Sequence, residues 1–243
     1  MRRLATEPAR SAVSVVGASD AHPLDGTPLG QQTLLMNDSI PESELPAAFA
    51  DRNPDEEWRT ILRLSATLFG ISVSVTCFLS MLFDTSVIDG EPHGQSDALA
   101  GLAVSIPLLT GLFVLRRSRG SLAQKLWNVP VELLGPALSR NSQAGLIAIA
   151  LMAGIGEELL FRGLLQNWLA PAGLLMALIV PNIIFGLLHC VNAAYAVAAG
   201  VTGLYFSILL HFVPEVSLYS LMVAHAFYDY VALNCLAARV RNP

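Results

Sequence analysis

Apolar residues dominate the chain after residue 57, in stretches long enough to cross a lipid bilayer. A spanning helix needs about 20 apolar residues, and the sequence contains about six stretches of that length. Their bounds are 60–83, 97–115, 143–166, 172–190, 194–213 and 216–237. The stretches do not alternate apolar with polar positions, and lipid offers the backbone no hydrogen-bond partner, so each is predicted to be an α-helix. The pattern predicts an all-α, polytopic transmembrane bundle.

Two other segments differ from these stretches. Residues 121–139 are apolar but contain Lys125, Pro130, Glu132 and Pro136, and they are predicted to form an interfacial or re-entrant helix. Residues 1–57 are polar and contain six prolines, which is typical of a disordered arm. The sequence therefore predicts an arm over residues 1–57 and a helical membrane domain over residues 58–243.

Composition agrees with a membrane protein. Of 243 residues, 53% are apolar and 14% are charged, and the mean hydropathy is +0.55. Soluble domains carry about 25% charged residues. The net charge of −5 excludes a basic nucleic-acid-binding protein, so no nucleic-acid partner is expected. Residues 1–59 hold 10 acids and 5 bases, whereas the remainder is neutral with 9 of each.

Basic residues predict the orientation of the bundle. With six spans, every cluster of arginine and lysine falls on one side, which the positive-inside rule assigns to the cytoplasm. These residues are Arg59, Arg63, Arg116, Arg117, Arg119, Lys125, Arg140, Arg239 and Arg241. We therefore expect an integral protein of the inner or plasma membrane with both termini in the cytoplasm.

Ionisable residues inside the last four predicted spans are the strongest functional signal. A charge at the centre of a bilayer costs at least about 2.5–3.5 kcal/mol, so such groups usually mark a site. Three pairs are spaced by four residues and so share one helix face: Glu158 with Arg162, Phe185 with His189, and His225 with Asp229. Glu157 lies about 100° around its helix from Glu158 and has no such partner. It is free to point into a cavity.

The predicted spans bring these groups to one depth. If the chain turns near Pro171 and again at Pro214, then Glu157, His189, His225 and Asp229 lie within about 10 Å of one another along the membrane normal.

A buried glutamate with two histidines suits the activation of water. The glutamate acts as general base, and histidines hold the water or stabilise an oxyanion. The predicted reaction is hydrolysis of an amide within or beside the bilayer. Glu157, His189 and His225 could also be three ligands of a catalytic zinc ion, although no HExxH motif is present. Metal-free catalysis without a cofactor is preferred, and a divalent metal such as zinc stays open as the alternative.

The three motifs resemble a known family. Glu157-Glu158-x-x-x-Arg162, Phe185-x-x-x-His189 and His225-x-x-x-Asp229 are similar to the motifs of the CAAX protease and bacteriocin-processing family, also called Abi. This family includes the type II CAAX prenyl endopeptidases. The resemblance covers roughly residues 100–240, and the arm lies outside it.

The resemblance implies an intramembrane glutamate-type endopeptidase that cleaves a membrane-associated peptide or protein near the cytoplasmic leaflet. Glu157 and His189 would activate the water, and Glu158, Arg162 and Phe185 would support the site. His225 and the residue at position 229 would form the oxyanion hole. In the best-known CAAX members that residue is asparagine. Here it is Asp229, which cannot donate a hydrogen bond when ionised and would instead orient His225 or bind a metal.

Two non-enzymatic hypotheses remain beside this one. The protein could be a membrane scaffold or a bacteriocin-immunity-type protein that binds a partner in the bilayer without cleaving it. A transporter is a weaker hypothesis, because the spans show no clear inverted repeat.

Overall fold

The computed structural model describes residues 53–88, 90–138 and 141–241, and every regular element in those ranges is helical. Seven helices, α1 to α7, follow one another there, and their bounds are Pro54–Phe83, Gln95–Arg117, Ser121–Leu138, Gln143–Ala172, Leu174–Leu188, Ala193–Phe212 and Leu218–Arg241. The predicted all-α fold is confirmed. The predicted disorder of the arm concerns residues that lie, except for the last five, outside the described ranges.

Five of the helices are long and apolar enough to cross a membrane, namely α1, α2, α4, α6 and α7. The predicted stretch 172–190 corresponds to α5, which has only 15 residues. At 1.5 Å per residue α5 is about 22 Å long, which is shorter than a hydrocarbon core of about 30 Å. Gly173 adopts a φ of 112° between α4 and α5, so the chain reverses there before α5 begins. The chain is therefore an integral membrane protein, and its described residues contain five helices long and apolar enough to span a bilayer and one shorter apolar helix.

Helix α1 begins earlier than the apolar pattern indicates. Asn53 caps it by accepting a hydrogen bond from the backbone N–H of Asp55, and Pro54 occupies its first turn. Proline has no N–H to lose at that position, and the acidic side chains that follow it interact favourably with the helix N-terminus. The first turn of α1 thus lies inside the segment 1–57 that the sequence assigns to the arm.

Helix α4 changes its hydrogen-bond pattern in the middle. It is α-helical from Gln143 to Glu158 and π-helical over Leu159–Gln166, and it ends in a short α-helical turn and a 3₁₀ turn. Such π segments are rare and often occur at functional sites. Here the π segment follows directly after the two glutamates and contains Arg162.

Glycines bring the helices into close contact. A side chain at Gly154 of α4 would place its Cβ 2.7 Å from the backbone nitrogen of Ala226 in α7. Gly101 of α2 approaches Ser220 of α7 in the same way, and Gly186 of α5 approaches Ala196 of α6. In lipid, where apolar burial gives little drive for association, such small residues permit helix packing. Helix α7 is held between α2 and α4, and α5 packs on α6.

A buried aspartate joins the start of α2 to the start of α7. Asp97 accepts hydrogen bonds from the Ser217 hydroxyl at 2.5 Å and from the backbone N–H of His93 at 2.6 Å. The Ser217 hydroxyl oxygen in turn accepts from the backbone N–H of Ser220 at 3.1 Å. These contacts fix the start of α7, the helix that contains His225 and Asp229.

The stretch 121–139, predicted to be an interfacial or re-entrant helix, forms helix α3 over Ser121–Leu138. Ala123, Trp127 and Val131, each one turn apart, are buried against the bundle, whereas Leu122 and Leu133 are exposed. Helix α3 packs against α1 and α7. Its amphipathic pattern agrees with the helix that the sequence predicts, and its interfacial location stays a prediction.

Candidate active site

Three helices bring a glutamate and two histidines around one point. Glu157 projects from α4, His189 follows the last residue of α5, and His225 lies on α7. The Oε2 atom of Glu157 is 3.8 Å from Nε2 of His189 and 3.7 Å from Nε2 of His225. Asp229 lies one turn after His225, and its Oδ2 atom is 3.6 Å from the same Nε2. The four side chains named from the sequence as catalytic candidates therefore lie together.

The two adjacent glutamates have different environments. Glu157 and His189 keep 29% and 32% of their side-chain area accessible, whereas Glu158 and Arg162 keep none. A group that is fully enclosed cannot contact a substrate, whereas a partly open group can. The arrangement thus separates a carboxylate that a substrate could reach from one enclosed within the bundle.

Glu158 links two helices through one oxygen atom. Its Oε1 accepts a hydrogen bond from Nη1 of Arg162 at 3.2 Å, within α4. The same atom is 2.7 Å from Nδ1 of His225 on α7. A carboxylate accepts and does not donate, so His225 must carry its proton on Nδ1. Glu158 therefore orients the His225 ring, a role for which the sequence suggested Asp229.

The buried arginine extends the network to α5 and α6. Nη2 of Arg162 donates to Oδ1 of Asn182 at 3.1 Å, and Nδ2 of Asn182 donates to the Ser207 hydroxyl at 2.8 Å. Asn182 and Ser207 are both buried. Neither residue was predicted from the sequence, because neither side chain is ionisable. A search for any strongly polar residue inside an apolar stretch would have found Asn182.

Aromatic rings enclose the charge of Arg162. Its guanidinium carbon lies 4.9 Å from the ring centre of Phe185, 5.7 Å from that of Phe206 and 5.9 Å from that of Phe161. Cations over aromatic faces are stabilised, most strongly where water is absent. Phe185 also touches the reactive side of the site, because its ring centre is 4.4 Å from that of His189.

His189 is oriented by the backbone. Its Nδ1 atom lies 2.8 Å from the carbonyl oxygen of Phe185. A carbonyl can only accept, so Nδ1 carries the proton and, in the neutral ring, Nε2 has a free lone pair. The neutral His225 ring has the same tautomer. The Nε2 lone pair of neutral His189 and the Glu157 carboxylate then face one another as acceptors, and Nε2 of His225 lies beside the carboxylates of Glu157 and Asp229.

The side chains of Glu157, His189, His225 and Asp229 are too far apart for direct hydrogen bonds through these atoms. The separations of 3.6–3.8 Å exceed the usual limit of about 3.2 Å for a hydrogen bond. Glu157 Oε2 is buried and has no hydrogen-bond partner in the described part of the chain. A water molecule offers two donor hydrogens, which such a set of acceptors lacks.

A cavity of about 290 Å³ opens at these residues. Glu157, His189, His225 and Asp229 form its polar end. Much of the rest of the wall is apolar and comes from α2, α3, α6 and α7, among them Leu112, Leu115, Leu126, Pro130, Leu134, Ala198, Phe206, Leu233 and Leu236. The cavity thus joins a polar centre to an apolar pocket inside the bundle.

One segment of the chain is similar to a known protein family. Residues 140–231 match the model of a family described as type II CAAX prenyl endopeptidase Rce1-like. The predicted family resemblance is confirmed for this segment. No curated protein and no solved structure matches the chain significantly.

The match with the Rce1-like family contains all three motifs but is shorter than the resemblance seen in the sequence. It starts after α3 and ends within α7, so it covers residues 140–231 rather than 100–240. The description of this family names prenyl endopeptidases, which are proteases. Helices α1 to α3 lie outside the matched segment.

Proposed function

We propose that the protein is an intramembrane endopeptidase that hydrolyses a peptide bond with a water molecule activated by Glu157 and His189. The observation that carries this proposal is the buried, unpartnered Oε2 of Glu157, which faces the two histidine Nε2 atoms at 3.7–3.8 Å at the end of a cavity. A carboxylate in this position can act as a general base that takes a proton from a water molecule as the water attacks the carbonyl carbon.

Glu157 and one water molecule supply the proton transfers that the reaction requires. Glu157 takes a proton from the water while the water oxygen forms a bond to the carbonyl carbon of the substrate. The carbonyl oxygen becomes an oxyanion, which hydrogen-bond donors stabilise. Glu157 then gives the proton to the amide nitrogen, and the carbon–nitrogen bond breaks to release an amine and a carboxylate. His189 holds the water through Nε2.

The remaining candidates support this centre. Glu158, paired with Arg162, holds the His225 ring in its orientation. The backbone carbonyl of Phe185 does the same for the His189 ring. His225 stays a candidate for the oxyanion hole together with Asp229, as the resemblance implies, although an ionised Asp229 can only accept hydrogen bonds. In that state Asp229 orients the protonated form of His225, whose Nε2 is 3.6 Å away.

The apolar wall of the cavity supports a membrane-tethered substrate. A peptide whose scissile bond lies near an apolar or lipid-modified segment could place the bond at Glu157 and the apolar part between α2, α3 and α7. The matched family is described as prenyl endopeptidases, and a prenylated peptide is one such substrate. The basic residues that end α2 agree with cleavage near the cytoplasmic leaflet and with cytoplasmic termini.

A comparison of cells that express the wild type with cells that express Glu157→Gln tests the function and finds the substrate. New protein termini in the membrane fraction, identified by mass spectrometry, are expected with the wild type and absent with the variant at equal expression. If an independent phenotype of the protein persists in the variant, the scaffold or immunity hypothesis is favoured and the protease proposal is wrong.

Metal-assisted hydrolysis is the alternative to this mechanism. Glutamate and histidine are suitable zinc ligands, but no group of three His, Cys, Asp or Glu side chains among the described residues has the arrangement of a metal site. If a metal ion were bound, Glu157, His189 and His225 would be its ligands, and it would lower the pKa of a bound water molecule.

We expect cleavage to survive removal of metal ions. The purified protein, dialysed exhaustively against a chelator and assayed for peptide cleavage, should keep its full rate, because Glu157 and His189 activate the water without a metal. Metal content of the same sample, measured by mass spectrometry, is the control. Loss of the rate that is reversed by adding zinc would establish the metal-assisted alternative.

A further inference from the structure

A crevice of about 120 Å³ between α1 and α4 also reaches Glu157. Side chains of α1 from Ser65 to Ser72 form one wall, and residues of α4 from Ile149 to Glu157 form the other. Glu157 borders both this crevice and the larger cavity, whose wall contains no described residue of α1. The carboxylate of Glu157 is therefore approached by open space from two directions.

Two hydroxyl groups of α1 line the crevice. Ser72 donates to the carbonyl oxygen of Gly156 at 2.6 Å, which fixes its hydroxyl beside the residue that precedes Glu157. The half-buried Ser65 has no hydrogen bond to any described residue, whereas Thr60 and Thr67 of the same helix bond to their own backbone. A hydroxyl in apolar surroundings without a partner is unfavourable, and water satisfies it where there is room. One water molecule needs at least about 10–15 Å³, so the crevice has room for several.

The crevice lies close to the membrane surface at which α1 begins. With 30 residues α1 is about 45 Å long, which exceeds a hydrocarbon core by about 15 Å. Its last residue, Phe83, stacks on Trp168, and tryptophan is enriched at membrane interfaces. If this end lies at one interface, the other falls about ten residues into α1, next to Arg63, the last charged residue of the helix. Ser65 is only about 3 Å further in.

We propose that this crevice is the route by which water reaches Glu157, separate from the cavity that receives the substrate. The inference rests on the proposed function. Hydrolysis consumes one water molecule for each bond broken, and a bound substrate with an apolar segment would fill the larger cavity. A separate route delivers water to the base while the substrate stays bound. Ser65 and Ser72 are then positioning residues for water, on a helix that lies outside the matched segment.

The first test asks whether the crevice holds water. Ser65→Cys is compared with Ser74→Cys, because Ser74 is exposed on the same helix but does not line the crevice. Both variants are made in a protein whose exposed cysteines, Cys77 and Cys190, are replaced by alanine. A charged methanethiosulfonate reagent reacts with the thiolate, so in nanodiscs we expect labelling about tenfold faster at position 65 than at position 74. Equal rates would show that lipid fills the crevice and would overturn the inference.

The second test fills the crevice from each of its two walls. Ser65→Leu and Ala153→Leu are each expected to lower kcat about tenfold with KM unchanged, because the substrate cavity is not altered. The assay uses a quenched-fluorescence peptide built on the cleavage site that the comparison with Glu157→Gln cells identifies. Ser74→Leu is the matched control and should cleave at the wild-type rate, and the unfolding temperature of each variant shows that it is folded.

The other outcomes separate this inference from the proposed function. A higher KM at constant kcat would show that the crevice binds part of the substrate. Wild-type kinetics in both folded variants would show that water enters through the larger cavity. Either result overturns the inference and leaves the protease proposal intact. Absence of any Glu157-dependent cleavage by the wild type overturns the proposed function instead, whereas the labelling test needs no substrate and reports on water alone.

Discussion

Glu157→Gln lowers kcat for peptide cleavage by about 1,000-fold, which is within the range that a general base contributes. Glutamine has the same shape as glutamate and can still hold a water molecule, but it cannot take a proton from it. Binding of the substrate depends mainly on the cavity wall, so KM should change little. The measurement is the rate of cleavage by purified protein in detergent or nanodiscs, at saturating and at limiting substrate.

Glu215→Gln is the control for loss of a negative charge. Glu215 follows Pro214 between α6 and α7 and is exposed, so this variant should retain the wild-type rate. Both proteins should unfold at the wild-type temperature, because Glu157 Oε2 has no hydrogen bond to lose. A Glu157→Gln protein that cleaves at the wild-type rate would exclude Glu157 as the base.

The fold was largely predictable because its signal is one of length and hydropathy. Six apolar stretches become helices at nearly the predicted bounds, since the backbone in lipid has no alternative to helical hydrogen bonds. The start of α1 was not predictable from hydropathy, because a capping Asn53 and a first-turn proline are polar or neutral signals. The π segment after Glu158 was not predictable either, because no residue type specifies it.

The site was predictable to the extent that helix periodicity determines it. The spacing of four between Glu158 and Arg162 gave their pairing, and the adjacent Glu157 was left to face the cavity. Contacts between helices are another matter. The bond from His225 to Glu158 depends on the rotation of α7 against α4, which Gly154 and its neighbours set, and a single sequence does not show it.

The cavity combines two parts of the chain with different relations to the family. The residues of the polar end, from Glu157 to Asp229, all lie within the matched segment 140–231. Much of the apolar wall comes from α2 and α3, which lie before it. Under the proposed function, the reaction would therefore follow the family, whereas substrate choice would depend also on residues outside the matched segment, such as Leu112 and Leu126.

Glu158→Gln and Arg162→Ala each lower the free energy of unfolding by about 3–5 kcal/mol, the cost of leaving one charge of a buried pair without its partner. Arg162 has no access to water. Without Glu158, the carboxylate of Glu157 is the one left to balance its charge, and the proposed reaction needs Glu157 as a base. The measurement is the thermal unfolding of the solubilised protein together with the yield of folded protein. Arg63→Ala, which removes an exposed arginine of α1, should leave both at wild-type values.

A double variant separates the structural task of this pair from its effect on His225. Glu158→Leu/Arg162→Met removes both charges and keeps the volume, so most of the lost stability should return, as it often does when an entire buried ion pair is replaced. Cleavage should nevertheless stay low, because His225 Nδ1 has lost the oxygen atom that fixes its ring at 2.7 Å. If the two single variants accumulate normally and remain active, the network from Ser207 through Asn182 and Arg162 to Glu158 does not hold the site together.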